Sequence, residues 1–350
     1  MEIKIDDNKY RIFEKLDDTF PFFKIINSGL NIAKNALSIC SFGIKEHKKI
    51  NLKIYAYDDE NVNAFALKEK DSYIIGISFG LFIETEKWIQ HWFNLPEFDY
   101  IIIFDDKNGK KTFCDNVFSM TLCFVVMHEY YHILDGHCDY PLITNSFLDE
   151  FYNFHEETNN SSNDSFLNNL SQILEYDADF GAINACVSII MKNNISEEQK
   201  IALINILFFS IYNIFLLFNN IDNNNFDTLI LNNLKRYNHP PAGIRIAYCI
   251  SFVTCCLQDF WESQKIINII GQILNQCVSL DKLLMKSIKF KQCLYSIAYT
   301  RNGVEHIMFL NNLWDDIRED LKKYAYIELR DCEEIESMMY FVDENGNLKV

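Results

Sequence analysis

Apolar positions recur at helical spacing over long stretches of this chain and at strand spacing mainly near its start. Glu2–Ile5 reads as a short strand, an apolar-periodic helix is predicted across roughly Phe20–Ser41, and a strand follows at Asn51–Tyr57. The segment Asn63–Leu81, NAFALKEKDSYIIGISFGL, reads as strand, polar turn, strand and the start of a helix, with Tyr73–Ile77 as the second strand. That helix should run through Phe82–Phe93 and stop before Pro96, because the residue ahead of a proline is pushed out of helical geometry. Phe98–Phe104 is a further strand candidate and Asp105–Lys110 a turn.

Beyond this point the period is helical. One pattern extends from about Phe113 to His137, and its first half, NVFSMTLCFVVM, is apolar nearly all round, so the helix must be buried on most sides. Glu156–Asp164, EETNNSSND, is a loop by composition. Helices are predicted over about Phe166–Met191 and Ser196–Phe218, with a polar loop at Asn219–Asn225 and further helices to about Tyr326. The tail Asp343–Val350 reads as a small turn or a frayed end. Within these, Ile201–Phe218 is 18 residues without a charge, the lower limit for a membrane-spanning helix. Asn205, Ser210 and Asn213 interrupt it and no basic flank follows, which favours a buried core helix over membrane insertion or association. The fold class expected is α+β, mostly helical, with a small N-terminal sheet packed on the long Phe113–His137 helix. The sequence divides into an N-terminal α/β part (1–110), a helical core (111–258) and a C-terminal helical extension (259–350), read as one continuous unit.

Composition supports this pattern. Only 5 Pro and 11 Gly in 350 residues argue against a turn-dense all-β design. The net charge of −17 repels phosphate backbones, so nucleic acid is not an expected partner. The 11 cysteines include no CxxC pair and mostly sit in apolar runs, which points to free thiols in a reducing compartment. MEIKIDDNKY carries no signal region, so a cytoplasmic location is expected.

The candidate chemistry starts at residues 128–132, His-Glu-Tyr-Tyr-His. Residues four apart lie one turn above each other on a helix, so His128 and His132 can hold one Zn²⁺ while Glu129 reaches a metal-bound water. A catalytic zinc wants a third protein ligand. The metzincin pattern is absent, since Asp135 and Cys138 stand where its Gly and His belong. A second constellation, Glu175-Tyr176-Asp177-Ala178-Asp179, also has carboxylates one turn apart. Glu175 is placed to bind the metal and Asp179 to fix the tautomer of a ligand imidazole. His137 reads as a supporting or structural residue rather than a ligand, and Tyr130 and Tyr131 as core.

With His137 five residues past His132, HExxHxxxxH followed by ExxAD resembles the gluzincin zinc metallopeptidases related to HtpX and the Ste-type CAAX prenyl proteases. Asn63-Ala-Phe-Ala66 with Tyr73–Leu81 is similar to that family's strand pair, and His239-Pro-Pro-Ala-Gly-Ile-Arg245-Ile246 to its HPPxxxRI. The four motifs keep the family's order across about residues 50–250. The clean hydrophobic pairs of the membrane-bound members are missing, so a soluble relative, of the kind that includes a cytosolic phage-exclusion peptidase, fits better. The resemblance implies a zincin-like fold and a zinc endopeptidase acting on a protein or peptide substrate, with one Zn²⁺ per chain on His128, His132 and Glu175. It implies Glu129 as general base, His239 and Arg245 near the reacting groups, and Asn63, Ala64, Phe65 and Ala66 as the edge strand to which substrate adds. Arg245 would anchor Asp179 or the substrate backbone. The alternatives are a non-catalytic binding protein on the same fold and a membrane-associated protease.

Overall fold

The computed structural model describes residues 2–5, 8–40, 43–46, 48–96, 98, 107–141, 148–149, 162–218, 234, 239–287 and 300–330. Within them the chain is mostly helical with a small mixed sheet, the α+β class expected.

The sheet is built from β1 (Glu2–Ile5), β2 (Asn8–Phe13), β3 (Leu52–Tyr57), β4 (Ala64–Glu69), β5 (Ser72–Ser78) and β6 (Leu148–Asp149), in the spatial order β1-β2-β3-β5-β4-β6. Only β3 and β5 run parallel; every other neighbouring pair is antiparallel. The run Tyr73–Ile77 is apolar because β5 is central and buried along its whole length. Period-2 alternation divides the strands into two faces. Ile12, Tyr55, Tyr57, Phe65, Leu67 and Ile74 form a small cluster of their own. Ile54, Ala56, Ala64, Ala66, Tyr73, Ile75 and Ile77 join the main core.

Eight helices are described: α1 (Phe23–Ile39), α2 (Phe79–Asn94), α3 (Lys107–Leu134), α4 (Ser162–Lys192), α5 (Glu197–Phe218), α6 (Ala242–Gln258), α7 (Ser263–Ser287) and α8 (Arg301–Leu321). The main core runs through all of them without a break, so the three sequence portions share one interior. Helix α3 lies at the centre, against α1, α2, α4, α5 and strands β4 and β5. That position explains its nearly all-round apolar sequence. Helix α5 is buried from Ile206 to Phe218. Its interrupting polar residues bond inside the protein: Ser210 Oγ donates to the Val117 carbonyl at 3.2 Å, and Asn213 Oδ1 accepts from the Trp92 indole N–H. Gly109–Leu134 and Glu197–Phe218 are each long and apolar enough to cross a membrane, yet 83% and 78% of their most apolar windows are buried within the fold, as core helices are.

Helices α3 and α4 approach without slack. A Cβ on Gly181 of α4 would come within 2.0 Å of the Tyr131 ring on α3, so only glycine permits this closeness. The contact matters because these two helices carry the candidate ligands.

Several expectations need correction. The turn expected at Asp105–Lys110 is, from Lys107 on, the first turn of α3. The same helix stops at Leu134 instead of reaching His137. Gly136, at φ 82, turns the chain into a 3₁₀ turn over His137–Asp139, a backbone conformation that glycine adopts without strain. Strand β2 lies between the expected Glu2–Ile5 strand and Phe20–Ser41 helix, where the sequence predicts no element, and α4 begins at Ser162, inside the predicted polar loop. Pro240 and Pro241, residues suited to the first turn of a helix, lie just ahead of α6 instead. The strand expected at Phe98–Phe104, beyond Phe98 itself, lies outside the described residues, as do the polar loop Asn219–Asn225 and the tail Asp343–Val350.

Candidate metal centre

Helix α3 presents His128 and His132 to α4, which presents Glu175. All three are buried to within 2% exposure and form a group able to hold a metal ion. His128 Nε2 lies 3.1 Å from His132 Nε2 and 3.2 Å from Glu175 Oε2, and His132 Nε2 lies 3.4 Å from Glu175 Oε1. For a tetrahedral ion with bonds of about 2.0–2.1 Å, neighbouring donor atoms stand about 3.4 Å apart. The three donors thus have the spacing of one face of such a tetrahedron.

Partner chemistry fixes the tautomer at His128. Its Nδ1 lies 2.9 Å from Asp179 Oδ1. Burial works to raise the Asp179 pKa, but the Arg245 charge and hydrogen bonding to His128 outweigh it and hold the carboxyl below its ordinary value. An ionised carboxylate only accepts, so His128 Nδ1 donates, and the neutral ring turns the lone pair of Nε2 toward His132 and Glu175. When His128 is protonated, in the metal-free chain, its charge and hydrogen bonds with both imidazoles prevail over burial and hold Glu175 well below the usual carboxylate range. Lone pairs and a carboxylate converging at 3.1–3.4 Å are the surroundings a cation satisfies.

Arg245, reached from α6, forks onto Asp179, with Nε 2.9 Å from Oδ2 and Nη2 2.8 Å from Oδ1, and lies 3.4 Å from Glu175 Oε2. Its guanidinium stands 4.3 Å over the Phe215 ring, and Tyr248 Oη donates to Asp179 at 2.6 Å. Arg245 therefore anchors the ligand-bearing helix through Asp179, the first of the two anchor points named for it from the sequence, and lies close to the ligand Glu175 as well. His239, just ahead of α6, reaches the site itself, with Nδ1 3.7 Å from Glu175 Oε1.

On the other side of His132 stands a second buried group, Asp135, His137 and Asp177. His132 Nδ1 is 2.9 Å from His137 Nδ1, His137 Nε2 is 3.2 Å from Asp177 Oδ2, and Asp177 Oδ1 is 3.2 Å from Arg330 Nε. Burial, and then the Asp177 charge, push the Asp135 carboxyl well above its ordinary value. Asp177 is held low against burial by its hydrogen bond with His137 and by the Arg330 charge. Asp177, Asp135, Tyr248 and Arg330 were not singled out by the sequence reading. Asp177 lies inside the acidic motif, two positions from each of its one-turn neighbours, and Arg330 has no spacing signal at all.

The four N-terminal candidates behave differently from expectation. Asn63, Ala64, Phe65 and Ala66 are buried to within 2% exposure. The edge of β4 is not open there, because β6 pairs with it, Asp149 opposite Phe65 and Leu148 opposite Ala66. Ala64 and Ala66 face the main core, so their small size serves packing under the sheet. Asn63 braces the start of α2, its N–H donating to Ser78 Oγ and its carbonyl accepting from the Ser78 N–H. Glu129 is fully buried on α3, and Tyr130 and Tyr131 are core, as expected. The nine described cysteines are all free.

For the metal-free chain, His132 sets an expected pH dependence. Burial brings its pKa down to about 4, against an ordinary 6.5. The unfolded chain therefore takes up this proton first as pH falls. Stability from this residue is complete above about pH 6.5 and declines through the window down to about pH 4, by about 3 kcal/mol. The low-held carboxyls of Glu175, Asp177 and Asp179 add losses below their ordinary values, 4.5 for Glu175 and 3.8 for the two aspartates. Urea midpoints of chelator-treated protein measure this, and equal midpoints at pH 7 and pH 5 would refute it.

No protein-family model, no curated protein and no solved structure matches this chain, so its own side-chain geometry carries the functional reading.

Proposed function

We propose that the chain is a zinc-dependent endopeptidase with a zincin-like fold, a soluble relative of the HtpX and Ste-type gluzincins. The observation that carries the reading is the donor triangle of His128, His132 and Glu175 at 3.1–3.4 Å, with Glu129 beside the first ligand on α3. Zn²⁺ is the ion favoured, because two imidazoles and one carboxylate are a catalytic zinc set that leaves one position open.

Zinc held by His128, His132 and Glu175 would supply Lewis-acid chemistry, lowering the pKa of water toward about 7 and polarising a carbonyl. The chain's residues supply the remainder. Glu129 accepts the proton of the attacking water and later delivers it to the leaving amine nitrogen, as general base and then acid. Asp179, held by Arg245 and Tyr248, keeps the His128 proton on Nδ1. His239, whose Nδ1 lies 3.7 Å from Glu175 Oε1, would donate to an oxygen of the substrate in this reading. The substrate class is protein or peptide. Burial of α3 and α5 in the fold supports a soluble protein over a membrane-anchored one. The net charge of −17 speaks against nucleic acid, and the free thiols support a cytoplasmic location.

One observation favours a second reading, a non-catalytic binding protein on the same fold. His128, Glu129, His132 and Glu175 are all nearly or fully buried, and β6 occupies the β4 edge.

The metal test comes first. Purified protein should carry about one Zn²⁺ per chain by elemental analysis, as a single three-ligand site requires. His132→Ala should lose it. Undiminished zinc in that variant would refute the assignment.

A further inference from the structure

We propose that Asp177 and Arg330 are positioning residues for the zinc ligand His132, acting on it through His137. The inference rests on the metal-site reading above and extends it to the C-terminal part of the chain.

To bind a metal through Nε2, His132 must carry its proton on Nδ1. That atom faces His137 Nδ1 at 2.9 Å, and two facing ring nitrogens share a hydrogen bond only when one donates and the other accepts. His137 decides which. Its Nε2 faces Asp177 Oδ2 at 3.2 Å, and a carboxylate can only accept, so His137 holds its proton on Nε2 and offers a bare Nδ1. His132 therefore donates from Nδ1 and points a lone pair into the site. Arg330 pairs with the other oxygen of that carboxylate and holds it in place, with Nε at 3.2 Å from Oδ1. Its guanidinium is itself confined, 4.3 Å from the Phe180 ring and 5.2 Å from both Tyr176 and Trp314.

The two ligand imidazoles thus end alike, at a carboxylate held by an arginine. His128 reaches Asp179 and Arg245 directly, and His132 reaches Asp177 and Arg330 with one imidazole between. The same chain of protons argues against a second metal ion on Asp135, His137 and Asp177. With His132 bound to zinc, His137 has a proton on the nitrogen that would have to ligate, and Arg330 already supplies the positive charge.

Asp177→Asn is the sharpest change, because a carboxamide can donate to His137 Nε2 and reverse the chain of protons. Chelator competition should show zinc affinity falling about 10–100-fold, the usual cost of losing a group that orients a metal ligand. Arg330→Gln should lower it in the same direction and Arg330→Lys should recover part of the loss. In a His137→Gln background, where the link is cut but the amide oxygen still accepts from His132, Arg330→Gln should cost no further affinity. A purely structural role for Arg330 would give additive losses instead. In metal-free protein, long-range proton–nitrogen spectra of labelled histidines should place the His132 proton on Nδ1 in wild type and spread it over both nitrogens in Asp177→Asn. Unchanged affinity with an unchanged His132 tautomer in Asp177→Asn would overturn the relay while leaving the metal site standing. Failure of the wild type to bind zinc would overturn the metal reading and the relay together.

Discussion

Glu129→Gln is expected to lower peptide-bond cleavage by roughly 10²–10⁴-fold while zinc content and thermal stability stay near those of the unaltered protein. Glutamine keeps the size of the side chain and the helix around it, and removes only the capacity to take a proton. Glu129 is not a member of the donor triangle, so the metal should be retained. Glu175→Gln should behave differently and lose zinc and activity together, because the carboxylate itself is a donor. The comparison also separates the two functional readings. A protein acting by binding alone would keep any cellular effect intact in Glu129→Gln, and that result would sink the peptidase proposal.

Arg245→Met should be the most damaging single change to stability. Removing the guanidinium leaves Asp179 and Glu175 facing each other's charge in a site where neither is more than 1% exposed. Breaking a buried ion pair from one side costs about 3–5 kcal/mol, a large part of the roughly 5–15 kcal/mol that a folded domain commands. Methionine fills much of the volume, so the loss would come from charge and hydrogen bonding more than from a cavity. Arg245→Lys keeps the charge but not the fork and should fall between. Denaturant titration of both variants checks the order. A methionine variant within about 0.5 kcal/mol of wild type, inside the range of ordinary surface substitutions, would show that the pairing contributes little.

The parts of this structure that could be read in the sequence are those where one local rule dominates. Helix α3 was legible because an apolar run with two histidines one turn apart admits few other folds. The hairpin of β4 and β5 was legible because a charged turn separates two short apolar runs; the chain reverses at Lys70–Asp71, with Lys70 at φ 54. Local rules misled where tertiary packing prevailed. Lys107-Asn-Gly-Lys110 reads as part of a turn, yet it is carried into helix by the rigid apolar length that follows it. Ala64 and Ala66 stand in the strand expected to receive a peptide, yet their small side chains make room for the protein's own core. The His128–Asp179 pair was legible because both partners sit on one-turn spacings. The branch through His137 was only half legible. Its acceptor Asp177 has the wrong spacing for the ligand face, and Arg330 is separated from it by 153 residues, a distance across which periodicity carries no information.

The burial of the metal site has a kinetic consequence. With Glu129 fully buried and the ligands no more than 2% exposed, a peptide reaches Glu129 only when the fold opens around it. On the proposed reading this form is a resting, latent state, and the rate of turnover is capped by how often the fold opens. Selection on such a protein would act on the frequency of opening, so substitutions remote from every ligand could raise or silence its output without altering the chemistry.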